Sequence, residues 1–154
     1  MKHIYFVTCF VIREGEDGWQ FLQLFRSPGR YMEQTWQQVT GGIGENETAT
    51  QAMLRELTEE TGLTPIEFYQ LDVMSTFFVA KMDAICQSPM FCAVVEPNAH
   101  VTLNHENTDY RWVDERDIVS RVMWPGERTA LAELKREILN NGPAKPYLKI
   151  DLLR

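Results

Sequence analysis

The chain alternates between short apolar runs and turn-forming residues, a pattern typical of a protein built around a β-sheet. Runs rich in β-branched and aromatic residues predict strands, and clusters of Gly, Asp, Ser and Pro predict the turns between them. A polar stretch at residues 87–89 predicts a loop between two of the strands. The predicted strands are residues 4–13, 19–25, 36–40, 68–79, 90–95 and 110–113.

Three segments have the composition of helices. Residues 48–61 contain good helix formers and are followed by Gly62, a residue type that commonly ends helices. Residues 114–122 and 127–139 are the other two. Strands, a central helix, more strands and then helices predict an α/β fold with a mixed sheet covered by helices on both faces. Residues 143–154 form a short C-terminal tail, either a docked strand or a loose segment.

The composition fits one globular domain over residues 1–154, with 44% hydrophobic residues. The chain has 22 acidic and 15 basic residues, a formal net charge of −7. That excess counts against binding nucleic acid or an anionic membrane through bulk charge, but not against binding a metal ion. Five acidic residues and one basic residue fall within residues 45–60, so much of the excess is local.

The cysteines and the N-terminal segment bear on the cellular compartment. Cys9, Cys86 and Cys92 form no C-x-x-C pair, so neither a disulfide framework nor a thiolate zinc site is expected. The N-terminal apolar run, which Thr8 and Cys9 interrupt, is interpreted as a strand and not as a signal peptide. No stretch reaches the roughly 18–20 apolar residues of a membrane span. These features predict a cytoplasmic protein.

Three glutamates share one face of the predicted central helix. Glu56, Glu59 and Glu60 stand at positions i, i+3 and i+4. Such a cluster is commonly a solvated acidic face. Here it lies in the C-terminal half of the helix, where the macrodipole disfavours anions, and a Gly41-Gly42 turn precedes it. Oxygen ligands without sulfur predict a hard cation, Mg²⁺ or Mn²⁺.

The same stretch carries a specific motif. Residues 41–63 read GGIGENETATQAMLRELTEETGL. This segment resembles the Nudix box, G-x5-E-x7-R-E-U-x-E-E-x-G-U with U aliphatic, and every specified position is filled. The resemblance implies an α/β/α sandwich with a central mixed β-sheet, in which the loop and helix of the box carry the metal site.

The resemblance also implies roles for individual residues. Nudix proteins hydrolyse a nucleoside diphosphate linked to another moiety, with divalent cations as cofactors. Glu56, Glu59 and Glu60 match the metal-binding glutamates of the family and are expected to be catalytic. Arg55 matches the arginine that orients one of them through an ion pair. Gly41 matches the turn residue whose carbonyl the metal meets.

Three further positions in the box are informative. Glu47 matches a glutamate near the helix start, where stabilisation of the helix end and a metal role are both open. Many family members have Glu at the position of Gly44 and Gly at that of Asn46. Asn tolerates the left-handed conformation, so the turn is expected to survive.

A second acidic candidate lies downstream of the box. Glu106, Tyr110 and Trp112 resemble an E-x3-Y-x-W pattern of several Nudix subfamilies, in which the glutamate binds metal or acts as a base. The alternative is an exposed loop acid. Either Glu56 or Glu106 is expected to take the proton from the attacking water.

The residues before the box suggest a substrate. Residues 36–41, WQQVTG, resemble the W-Q-x-V-T-G segment of bacterial dihydroneopterin triphosphate pyrophosphatases. Trp36 is expected either to stack on a base or pterin ring or to lie in the core. Arg26 is expected either to bind a phosphate or to form a surface ion pair. Thr40 and Gly41 complete the predicted substrate-binding set.

The expected function is that of a Mg²⁺-dependent pyrophosphohydrolase acting on a nucleoside or pterin triphosphate. It would release a monophosphate and pyrophosphate. One alternative is an asymmetric dinucleoside polyphosphate hydrolase, and another is a non-catalytic Nudix nucleotide-binding module. The expected partner is a small nucleotide-like polyphosphate, with no nucleic acid and no membrane, for a monomer or homodimer.

Overall fold

A computed structural model describes residues 1–152 of the chain. The strands are β1 (Lys2–Gly15), β2 (Gly18–Arg26), β3 (Trp36–Gln37), β4 (Val39–Gly42), β5 (Glu67–Val79), β6 (Ala84–Val94), β7 (Asn107–Asp114) and β8 (Lys149–Ile150). The helices are α1 (Ala49–Thr61), α2 (Glu115–Arg121), α3 (Pro125–Glu133) and α4 (Lys145–Leu148), with a 3-10 turn at Ala80–Met82 and a π-helical segment at Leu134–Leu139.

The strands form one eight-stranded mixed sheet. Its main path runs β3-β2-β1-β6-β5-β8, while β4 pairs with β1 and β7 pairs with β2. Strands β1 and β6 are parallel and the other pairs are antiparallel. The pairing of Val7 with Gly41 places the glycine turn of the box against the middle of β1.

Helices cover both faces of the sheet, so the predicted α/β/α sandwich is confirmed. Successive side chains of a strand point to opposite faces. Val7 and Cys9 of β1 lie in a hydrophobic cluster with Met53 and Leu57 of α1. Phe10, the residue after Cys9, lies in a second cluster on the other face. That second cluster also contains Ile118 of α2, Ala130 and Leu131 of α3, and Leu134 of the π-helical segment.

The loop predicted at residues 87–89 is wrong, because these residues lie inside β6. Ser88 is fully buried, and its hydroxyl lies 3.0 Å from that of Thr8 on β1 and 2.9 Å from the carbonyl oxygen of Pro89. The register of the β5–β6 ladder shifts between Gln70 and Met74, just before Met74 pairs with Pro89. These hydrogen bonds satisfy the buried Ser88 hydroxyl. The irregular ladder accommodates Pro89, which has no N–H donor.

The C-terminal elements differ from prediction in detail. The last predicted helix begins earlier, at Pro125, and continues after Glu133 as the π-helical segment. Part of the tail is a docked strand, since Lys149 and Ile150 pair with Tyr69 and Phe68. Leu153 and Arg154 of the predicted tail lie outside the described residues. Across residues 1–152, no helix combines the length and the apolar character that crossing a membrane requires.

Candidate active site

Helix α1 is fixed at both ends by its own sequence. The Thr48 hydroxyl accepts the N–H of Gln51 at 3.1 Å, and the Gln51 side chain accepts the N–H of Thr48 at 2.9 Å, which is a capping box. Gly62 ends the helix with φ +70°, in the left-handed region. Ala52 and Leu57 are fully buried against the sheet. The burial of this apolar face orients the glutamates of the helix.

The turn before α1 brings bare backbone next to a carboxylate. A Cβ atom on Gly41 would fall on the Glu56 carboxyl group, so only glycine allows this approach. The neighbouring Thr40 hydroxyl donates to the carbonyl of Val7 at 3.0 Å. Asn46 adopts φ +62°, which confirms that asparagine supports the left-handed turn at this position.

Three carboxylates from two parts of the chain meet at this turn. Oxygen atoms of Glu56, Glu60 and Glu106 all lie within 4.8 Å of one another. The segment that carries Glu106 is held by Ser27 at the end of β2. The Ser27 N–H donates to the Glu106 carbonyl at 3.0 Å, and its hydroxyl donates to the His105 carbonyl at 2.8 Å. The fold therefore assembles an all-oxygen ligand set from residues far apart in sequence.

Glu60 shows that this set fits a cation. Its side chain is fully buried, and one carboxyl oxygen accepts a hydrogen bond from Asn107 Nδ2 at 3.2 Å. The other oxygen, Oε2, has no partner among the described residues. Burial, followed by the charges of Glu106 and Glu56, raises the pKa of Glu60 to about 9. A divalent cation with a preference for oxygen ligands would supply the missing positive charge.

Arg55 connects four neighbouring groups. Its Nε and Nη2 donate to the two carboxyl oxygens of Glu47 at 2.7 and 2.9 Å, and Nη2 also donates to the Gly42 carbonyl at 3.1 Å. Its Nη1 donates to Glu56 at 2.9 Å and to Glu59 at 3.2 Å. These bonds, above all those with Glu47 and then Glu56, raise the Arg55 pKa. Arg55 thus holds Glu56 in place.

Glu59 and Glu47 lie outside the three-carboxylate cluster. Glu59 is paired with Arg55, and 49% of its side chain is exposed. Glu47 accepts two bonds from Arg55 and the N–H of Gly44 at 2.7 Å. The hydrogen bonds from Arg55, and next that from Gly44, lower the pKa of Glu47 to about 2. Glu47 therefore braces the loop of the box through Arg55.

A cavity of about 640 Å³ opens beside the acidic cluster. Thr40, Gly41, Glu56 and Glu106 line it. Two guanidinium groups lie at the same end, with Arg30 at 3.6 Å and Arg26 at 4.0 Å from Glu106 Oε2. The Arg26 Nε atom is buried and has no partner among residues 1–152. The site thus presents clustered carboxylates beside cationic groups of the kind that bind phosphate.

Trp36 is not brought into the cavity wall. The Arg111 guanidinium covers its ring at 4.1 Å from the centroid, and the Phe25 ring centroid lies 5.0 Å away. These contacts occupy the surface that would stack on a substrate ring. Of the two alternatives for Trp36, packing within the protein fits the structure.

Sequence reasoning did not identify several residues of the site. Asn107 directly follows Glu106, yet its role depends on the pairing of β7 with β2, which brings it towards Glu60. Gln38 and Glu127 line the cavity and are buried. Their burial results from packing between distant elements, for which the sequence carries no local signal.

Comparison with known proteins agrees with this geometry. The family described as NUDIX domain matches residues 2–134. A NUDIX hydrolase structure from Listeria monocytogenes is 26% identical with a TM-score of 0.73, covering 89% of this chain and 95% of that one. The Ap4A hydrolase of C. elegans has a TM-score of 0.74 at 19% identity, covers 89% of this chain and 98% of that one, and shows a shared fold.

A curated relative matches over a shorter stretch. The RNA pyrophosphohydrolase of Histophilus somni strain 2336 is 64% identical over 36 residues, which are 23% of this chain and 19% of that protein. The match therefore spans about a fifth of the relative's length. The family match, in contrast, covers most of the chain and includes both the box and Glu106. This protein belongs to the NUDIX domain family.

Proposed function

We propose that the protein is a divalent-metal-dependent pyrophosphohydrolase that splits a nucleoside or pterin triphosphate into a monophosphate and pyrophosphate. The observation that carries this proposal is the meeting of Glu56, Glu60 and Glu106 at one end of a large cavity. Arg26 and Arg30 at the same end provide charge-assisted donors for phosphate oxygens.

Each group has a defined task in this proposal. The three clustered glutamates, with the Gly41 carbonyl, would hold Mg²⁺ or Mn²⁺. A bound divalent cation offsets the charge of the polyphosphate and makes water a stronger acid. Glu56 and Glu106 are the cluster members that line the cavity, so one of them takes the proton of the attacking water. The water oxygen attacks one of the two phosphorus atoms joined by the α–β bridging oxygen. The bond from that phosphorus to the bridging oxygen breaks, which separates the monophosphate from pyrophosphate.

The test is a substrate panel incubated with Mg²⁺ or Mn²⁺, with detection of pyrophosphate and identification of the second product. The panel contains nucleoside triphosphates, oxidised nucleotides, dihydroneopterin triphosphate and dinucleoside polyphosphates. We expect Glu56→Gln and Glu60→Gln to lower kcat at least about 100-fold, because each loses a charged oxygen ligand. Glu133→Gln on α3, outside the cavity wall, is the matched control and should retain activity.

Metal binding is measured separately by calorimetry. Glu60→Gln should lose Mg²⁺ affinity while its circular dichroism spectrum stays unchanged. Glu59→Gln should also lose activity, and its Mg²⁺ affinity distinguishes a metal ligand from a partner of Arg55. Full activity in the Glu56→Gln/Glu60→Gln double variant would contradict the assignment of the site.

Product identity separates the alternatives. The fold shared with an Ap4A hydrolase makes dinucleoside polyphosphates the second substrate class to test. Cleavage of these compounds in preference to triphosphates would replace the proposed substrate. Tight nucleotide binding without turnover in either metal would instead indicate a binding module.

A further inference from the structure

The rest of the cavity, beyond the acidic end, has an apolar floor. Ile4, Phe6 and Thr8 alternate along β1 and line the cavity. By this alternation they share the face of Phe10, which lies in the cluster under α3. Phe77 of β5 and Trp124 at the start of α3 add aromatic surface. A lining of this kind suits a flat heterocycle.

Several buried polar side chains interrupt this apolar lining, and two of them, Gln38 and Glu127, bear on ligand recognition. Gln38 is only 3% exposed, and neither its amide oxygen nor its amide nitrogen has a partner among the described residues. Glu127 is 8% exposed, and burial raises its pKa to about 7. The backbone of Trp124 donates a hydrogen bond to the Glu127 carboxyl. Burying an amide without partners is unfavourable, and a bound ligand would satisfy it.

The walls that carry these two groups are held together. Gln37 Nε2, next to Gln38, lies 3.2 Å from the sulfur of Met123 in the segment that leads into α3. The first turn of α3 also touches β5, because a Cβ atom on Gly126 would fall on the Ser75 hydroxyl. Gln38 and Glu127 therefore face one cavity from adjoining walls.

The chemistry of the two groups matches one kind of ring edge. A carboxylate accepts two neighbouring N–H donors, and an amide N–H donates to a carbonyl. Guanine and pterin share a 2-amino-4-oxopyrimidine edge, which offers a carbonyl followed by two adjacent N–H donors. Adenine, cytosine and uracil lack that order, because an acceptor stands beside their N–H donor. That acceptor would oppose the ionised Glu127 carboxylate, the form that dominates above about pH 7.

We propose that Gln38 and Glu127 read the heterocycle of the substrate and select a 2-amino-4-oxopyrimidine ring, that of a guanine nucleotide or of a pterin. This inference rests on the proposed function, since it names the substrate class of the same cavity. Glu127 is here a specificity-determining residue, in addition to accepting the backbone N–H at the start of α3.

The test is calorimetric binding of monophosphates, which does not depend on turnover. GMP and neopterin monophosphate are compared with IMP, which lacks the 2-amino group, and with AMP. We expect GMP or the pterin to bind at least about 10-fold more tightly than AMP, with IMP between them, because each edge contact contributes separately. Whichever of GMP and the pterin binds more tightly identifies the source of the ring.

Variants then assign the selection to side chains. Glu127→Gln should weaken GMP binding about 10- to 100-fold and bring it close to that of AMP. Gln38→Leu should weaken the binding of GMP and IMP alike, because it removes the donor to the carbonyl that both carry. Glu133→Gln is the control with the same charge change on the same helix, and its preference should equal that of the wild type.

Several outcomes would overturn the inference. They are equal binding of GMP, IMP and AMP by the wild type, no binding of either GMP or the pterin, or an unchanged preference in a folded Glu127→Gln variant. The last would leave Glu127 as a helix cap only. Hydrolysis without ring preference would reject the inference alone. Ring preference without release of pyrophosphate from any triphosphate would reject the proposed function instead.

Discussion

Four acidic residues of the box differ in whether they contact Arg55. Glu47, Glu56 and Glu59 share the positive charge of Arg55. Among residues 1–152, Glu60 has the neutral Asn107 amide as its one hydrogen-bond donor, and it is buried beside other carboxylates. The ion pairs with Arg55 brace the loop and the helix, whereas the cluster of Glu56, Glu60 and Glu106 concentrates negative charge that a cation would balance.

This division predicts an acid-sensitive contribution from Glu47. Its pKa is about 2 in the folded protein, against an ordinary value of 4.5. The ionised form is therefore favoured by folding, so the stabilisation is complete above the ordinary pKa and is lost as the pH falls towards about 2.

Denaturant titrations of wild type and Glu47→Gln at pH 7, 4 and 2.5 would measure the effect. The variant should be less stable at pH 7, and the difference should shrink as the pH falls. A difference that stays constant over this range would show that Glu47 acts through packing and not through its charge.

Site residues could be predicted where the sequence carries a spacing signal for them, and not where their position depends on packing between distant elements. Glu56, Glu60, Glu106, Arg55 and Gly41 carry a spacing signal, and the structure brings all five together. Gln38 and Glu127 carry no such signal, since their role depends on burial between β3, β4 and α3. Trp36 had two open alternatives because its cover, Arg111, comes from a strand 75 positions away.

Among the secondary-structure elements, α1 has the greatest effect on the site, because it carries Arg55 and two of the three clustered glutamates. Its bounds were predictable because the signals at both ends are local. A capping box at Thr48 starts the helix, and a left-handed glycine, Gly62, ends it. The full extent of β6 could not be predicted, because the buried Ser88 is stabilised by a hydrogen bond with Thr8, 80 residues earlier.

Removal of the helix cap tests how far the site depends on this element. Thr48→Ala should lower the free energy of unfolding by about 1 kcal/mol, because the Gln51 N–H loses its acceptor. Urea denaturation measures the change. Thr58→Ala, an exposed position inside the same helix, is the control and should be neutral or slightly stabilising. Equal losses in both variants would argue against a specific capping contribution.

For the molecule as a whole, the cluster of Glu56, Glu60 and Glu106 predicts that divalent cations raise stability. A ligand that binds only the folded state stabilises it by about 2.7 kcal/mol at 100 times its Kd. For a chain of this size, that corresponds to a rise of about 5–10 °C in Tm. We therefore expect MgCl2 to raise Tm and a chelator to reverse the rise.

Thermal unfolding in MgCl2 and in NaCl of equal ionic strength separates site binding from general screening. The difference between the two salts should disappear in Glu60→Gln, which lacks a charged ligand of the cluster. An equal shift in both salts for the wild type would show that only screening is at work.

The layered architecture was predictable from the order of elements, but the pairing of strands was not. Strand β1 lies beside β6 through contacts between residues about 80 positions apart. No local sequence pattern predicts that β1 pairs with β6. The pairing depends on how the helices pack on the two faces of the sheet.

The separation of the two hydrophobic clusters by the sheet has a consequence for how such a protein diversifies. Glu56 and Glu60 lie on α1, above one cluster, whereas Glu127 lies on α3, above the other. Substitutions in distant, independent parts of a protein combine additively. If Glu127 selects the substrate ring as proposed, substitutions near the start of α3 would change that selection while the glutamates of α1 stay the same. A single ancestral catalyst could in this way give rise to descendants with different substrates.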